Sequence, residues 1–69
     1  MEIQILLNGE KRKVSVGTSL MTLTESLDLN PNHIAIEFNR KLLKRSEWES
    51  TRLADGDQIE IVHFVGGGI

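Results

Sequence analysis

The chain has 69 residues, with eight Lys and Arg against ten Asp and Glu for a formal charge of −2, and no cysteine. One domain of that length buries only about 60% of its unfolded surface, which leaves little depth for a self-contained active site. The lack of cysteine excludes a disulfide framework, a thiolate zinc site and a thiol nucleophile, and the acidic balance gives no net pull toward a phosphate backbone, so no nucleic-acid partner is expected.

Apolar runs such as Ile5-Leu6-Leu7 fall far short of a membrane span, and Met1-Glu2-Ile3 lacks the basic start of a signal peptide. The expectation is a cytoplasmic protein without membrane contact. Two basic clusters, Lys11-Arg12-Lys13 and Arg40-Lys41 with Lys44-Arg45, read as solvated faces and turns, each able to meet an acidic protein.

Glu2 to Leu7 alternates before Asn8-Gly9, a pair that tolerates positive φ at both positions and so predicts a hairpin. Glu10 to Val16 returns as a second strand, with Val14 and Val16 on a dry face and Lys11, Lys13 and Ser15 on a wet one. After Gly17, Thr18 or Ser19 offers an N-cap, and Leu20, Leu23 and Leu27 make the apolar stripe of one short helix, with Met21 filling core beside it. Asn30-Pro31-Asn32 is expected to close that helix, because proline cannot continue the hydrogen-bond ladder.

His33 to Phe38 predicts a third strand, with Ile34, Ile36 and Phe38 on one face and His33, Ala35 and Glu37 on the other. Asn39-Arg40 turns into a fourth strand, Lys41-Leu42-Leu43. Ser46 to Leu53 reads as a helical turn or irregular loop pinned by Trp48, an indole expected in a satellite of the core. Asp55-Gly56-Asp57 reads as a tight turn and not a metal site, since no acidic loop ending in glutamate follows at the spacing an EF-hand needs. His33 and His63 have no serine, cysteine or carboxylate constellation around them and read as structural.

The last strand, Gln58 to Val65, carries Ile59 and Ile61 on one parity and Glu60, Val62 and Phe64 on the other. With the isoleucines in the core, Val62 and Phe64 emerge on the solvent face beside the terminus, with Glu60, as a candidate docking patch. Gly66-Gly67-Gly68-Ile69 follows directly. Three glycines without a Cβ can slide extended into a narrow channel, and a carboxylate at the end of such a cord is a substrate for another enzyme; a frayed linker has the same composition. The division expected is a domain over residues 1–65 and a flexible glycine-rich tail over 66–69.

The order strand-strand-helix-strand-strand-strand is that of an α+β, ubiquitin-like β-grasp fold, a mixed sheet of about five strands curled over one helix. With it, the small size, Arg45-Ser46-Glu47-Trp48, Asp55-Gly56-Asp57-Gln58-Ile59 and the glycine terminus make the chain resemble the thiamin-pathway sulfur carriers, the ThiS family, along essentially its whole length. The resemblance implies a protein co-substrate and not an enzyme. It binds no cofactor itself: an E1-like adenylyltransferase of the ThiF type uses ATP to adenylate the terminal glycine, a sulfur-donor protein supplies the thiocarboxylate sulfur, and a thiazole synthase of the ThiG type accepts it. It places the reacting carboxylate on Gly68, with no metal, within the tail Gly66, Gly67, Gly68 and Ile69, and assigns partner docking to Val62, Phe64 and Glu60.

One residue departs from the pattern. The family ends in Gly-Gly, matched here by Gly67-Gly68, and Ile69 is left over. Either a peptidase removes Ile69, or it is foreign to the natural chain, or the chain is inactive as it stands. Carriers for molybdopterin or cysteine synthesis share the fold and the tail, and a β-grasp binding module without carrier activity shares the fold alone.

Overall fold

The computed structural model describes residues 1–64; Val65, expected to end the domain, and the tail Gly66, Gly67, Gly68 and Ile69 lie outside the described residues. In chain order the elements are β1 (Glu2–Leu7), β2 (Glu10–Ser15), α1 (Leu20–Ser26), β3 (Ile34–Phe38), β4 (Lys41–Leu43) and β5 (Gln58–His63), with 3₁₀ turns at Pro31–His33 and Arg45–Glu47. They form one sheet in the order β2-β1-β5-β3-β4, with β1 and β5 parallel and every other neighbouring pair antiparallel. β2 and β3 therefore run in the same direction on opposite sides of the central pair. The chain between them must cross the sheet, and α1 makes that crossing on one face. This is the α+β arrangement of five strands and one helix expected from the order of elements.

Local chemistry sets each boundary. Asn8 and Gly9 hold φ of 50° and 83°, the double positive φ of a two-residue hairpin turn that pairs Leu7 with Glu10. Ser19 caps α1, its Oγ accepting from the Thr22 N–H at 3.1 Å. The N–H groups of Leu20 and Met21, which no helical carbonyl can reach, donate to the carbonyls of Thr51 and Trp48 at 3.0 and 3.2 Å. The long loop before β5 thereby caps the helix. Leu20 and Leu23 pack beneath it against Ile5, Ile34, Ile36, Ile59 and Ile61, with Trp48 and Leu53 closing the end.

Five sequence expectations are corrected, the first being the end of the last strand, where β5 stops at His63 and leaves Phe64 outside it. α1 is closed by its own C-terminal turn and not by proline: Asp28 takes φ 59°, its N–H donates to Glu25 O at 3.0 Å, and the Leu29 N–H donates to Thr24 O at 3.1 Å. That is a Schellman closure, and Pro31 instead begins the next 3₁₀ turn, where its missing N–H costs nothing. β2 stops at Ser15, so Val16 lies beyond the covered face and is 57% exposed. His33 sits in the 3₁₀ turn and not in β3. Trp48 belongs to the main core, with 2% exposure, because its own carbonyl anchors the loop to α1 and carries the indole inward.

Candidate functional site

The site is built around β5, the central strand, from which the chain runs on to the glycines. On its β1 side the ladder is short: Leu6 and Leu7 pair with Gln58 and Ile59, and the Asn8 N–H donates to Ile59 O at 2.9 Å. There β1 turns away. The Asn8 side chain takes over, its Oδ1 accepting the Ile61 N–H at 2.7 Å, so an amide that would face a missing strand is satisfied by a turn residue. On the other side β3 pairs with β5 along its length, from Phe38↔Ile59 to Ile34↔His63, and the Phe64 N–H donates to His33 O at 3.0 Å one residue past the strand. The body thus holds the chain up to Phe64.

Alternation does the rest. Ile59 and Ile61 are buried under α1, while Glu60, Val62 and Phe64 face away from the helix, with Val62 57% and Phe64 46% exposed. The predicted docking residues therefore share one surface. Cross-strand register adds neighbours the sequence reading left unassigned. Val62 lies opposite Ala35, Glu60 opposite Glu37, and Glu37 opposite Leu42, which is 69% exposed. The surface is an apolar patch with two glutamates directly across from each other. Like charges so placed cost stability, and nothing among the described residues offsets that cost across the register. The period-2 pattern of β3 already turned Glu37 outward; only the register with β5 shows that it meets Glu60.

Asp55 and Asp57 hold a turn. Asp55 Oδ1 accepts the Gln4 N–H at 2.8 Å, while the Asp57 carboxylate accepts the Ala54 N–H at 2.7 Å and an Asn39 Nδ2 hydrogen at 3.1 Å, around Gly56 at φ 89°. Their oxygens tie a turn together, as the sequence predicted. Both histidines are exposed, His33 one residue before β3 and His63 at the end of β5 opposite Ile34. Among the described residues no three His, Asp or Glu side chains gather as metal ligands, and no helix is long and apolar enough to cross a membrane.

A mixed sheet of five strands over one helix, with the chain leaving its central strand beside an apolar patch, defines a ubiquitin-like β-grasp protein. Its backbone is similar to the crystal structure of the thiamine biosynthesis protein ThiS from Geobacter metallireducens, with a TM-score of 0.83 and 26% identity over 96% of this chain and all of that one. A sequence model of the ThiS family matches residues 5–68, and the chain belongs to that family. It is 39% identical over 64 residues to the sulfur carrier protein ThiS of Bacillus subtilis, covering 90% of this chain and 96% of that protein. It is also 39% identical over 66 residues to a thiazole synthase of Magnetococcus marinus, covering 96% of this chain but spanning only 20% of that longer protein.

Proposed function

We propose that the chain is a sulfur carrier for thiamin thiazole synthesis, acting as a protein co-substrate. The observation that carries this reading is the family match, which runs through the glycines to residue 68. The relatedness to part of a thiazole synthase supports that enzyme as the sulfur acceptor. The Gly68 carboxylate is the reacting group, and whatever follows Gly68 is removed before the chemistry.

A carboxylate resists nucleophiles because its oxygen is a poor leaving group. An E1-like enzyme overcomes this with ATP: a carboxylate oxygen attacks the α-phosphorus, pyrophosphate departs, and the acyl adenylate carries AMP as a good leaving group. A sulfur nucleophile then attacks the carbonyl carbon and expels AMP, which keeps one of the original carboxylate oxygens. Hydrosulfide gives the thiocarboxylate at once, whereas a persulfide donor gives an acyl disulfide that a thiol must cleave. The adenylate has to be kept from water, so the end of the chain must enter a closed site, and a Cβ on Gly66, Gly67 or Gly68 would obstruct the passage. Val62, Phe64, Ala35 and Leu42 supply the apolar contact at its mouth, and Glu37 with Glu60 favours a basic rim on the partner.

The test compares the chain ending at Gly68, the chain retaining Ile69 and a Gly68→Ala variant of the shorter form. Each is incubated with ATP, an E1-like adenylyltransferase and a sulfur donor, and the C-terminal peptide is weighed for replacement of oxygen by sulfur. Replacement in the first alone is expected. Sulfur loading of the chain that keeps Ile69 overturns the requirement for trimming, and undiminished pyrophosphate exchange with Gly68→Ala overturns the threading argument.

A further inference from the structure

The basic run Lys11-Arg12-Lys13 has no part in the tail chemistry, and the fold sets it on an open edge. β2 is an outermost strand. The hairpin register pairs Glu10 with Leu7, Arg12 with Ile5 and Val14 with Ile3, and the Val16 N–H donates to Met1 O at 2.9 Å. This phase turns the backbone groups of Glu10, Arg12 and Val14 toward β1. The N–H and C=O of Lys11 and Lys13, and the N–H of Ser15, consequently point out of the sheet. The Ser15 carbonyl is already occupied, accepting from the Thr18 N–H at 3.2 Å and its Oγ1 hydroxyl at 2.7 Å.

Beside this edge a groove of about 240 Å³ separates β2 from α1, lined by Arg12 and Val14 on the strand and by Thr22, Leu23 and Ser26 on the helix. Leu23 is buried and Val14 half-buried, so the floor is apolar and the strand rim cationic. The cross-strand partners of Lys11, Arg12 and Lys13 are Leu6, Ile5 and Gln4, none of them acidic.

Cations on a free edge protect against edge-to-edge aggregation. That protection is selective by charge. Two copies paired through β2 would bring their cations together, whereas a strand bearing carboxylates would be drawn in. A nucleic acid offers the charge but no row of amides to meet the outward N–H and C=O groups. We infer that the β2 edge and the β2–α1 groove form a second docking site, for an extended acidic segment of a partner protein that adds to the sheet as a further strand. Its apolar side chains lie over Val14 and Leu23 on the helix side, and its carboxylates meet Lys11 and Lys13 on the opposite face, with Arg12 adding its charge at the groove rim.

The probe is a short dye-labelled peptide alternating valine and glutamate, titrated against the ¹⁵N-labelled full chain. Binding is expected to shift and protect the amides of Lys11, Lys13 and Ser15, and to shift those of Thr22 and Leu23. The triple variant Lys11→Glu, Arg12→Glu, Lys13→Glu, whose side chains are all exposed, should weaken binding by about tenfold or more. Methylating alternate peptide amides, which removes strand pairing without changing charge, should abolish it. Shifts confined to β3 and β5, binding undiminished by N-methylation, equal binding of a single-stranded oligonucleotide of the same charge, or no binding at all would each overturn the inference.

Discussion

Replacing Asn8 tests the way β5 is held at the point where β1 leaves it. Asn8→Gly keeps the positive φ that the turn requires, so it isolates the side-chain bond to the Ile61 N–H at 2.7 Å. Ile61 is only 9% exposed, but Asn8 is itself at the surface, and its removal opens a path for water. The loss therefore sits near the low end for an unsatisfied buried donor, about 1 kcal/mol. Glycine adds about 0.5 kcal/mol through the freer unfolded chain, for a total of about 1.5 kcal/mol. In a domain of this size that is a fall in Tm of roughly 6–12 °C. Asn8→Ala loses the same bond and also the local side-chain hydrogen bonding by which asparagine tolerates the left-handed region, at about 1–2 kcal/mol, so it should be the worse variant. Urea unfolding followed by the fluorescence of Trp48, the single tryptophan, measures both, and native-state hydrogen exchange should show the Ile61 amide losing protection. An unchanged midpoint in Asn8→Gly, or an alanine variant no less stable than the glycine one, would refute this account.

Among the described residues two others hold positive φ without being glycine or asparagine, Asp28 at 59° and Arg40 at 69°, and glycine at either should raise stability by about 0.5–1 kcal/mol in thermal melts. Asp28→Gly also removes a carboxylate from the negative end of α1. Trp48→Ala should cost about 3–5 kcal/mol, most of the stability available to so small a domain, and circular dichroism should show a largely unfolded population at room temperature. Glu60→Gln should relieve the repulsion from Glu37 and raise the unfolding free energy measured in urea by a few tenths of a kcal/mol while raising KM for the carrier in the adenylation assay.

Most of the fold could be read from alternation and turn chemistry. Asn8-Gly9, the leucines of α1 and the parity of β5 each follow from a local rule, and each holds in three dimensions. What sequence alone could not reveal depends on partners far along the chain. Trp48 joins the main core because its carbonyl and that of Thr51 satisfy the start of α1, a demand invisible from the residues around the indole. The end of the helix was misassigned because proline is a conspicuous stop signal, whereas an aspartate in the left-handed region is not. On the sheet face away from α1, the positions of Val62, Phe64 and Glu60 followed from their spacing, but Glu37, Ala35 and Leu42 join them through a register that no single-strand pattern encodes.

The placement of β5 between β1 and β3 has a mechanical consequence. A pull on the C-terminal end of β5, with the body held, acts along the strand axis, at right angles to the hydrogen bonds on either side. Those bonds then share the load and must shear together, whereas a cord leaving an edge strand in a peeling geometry would break them one at a time. The body can accordingly bear tension at that end of β5 without being unravelled.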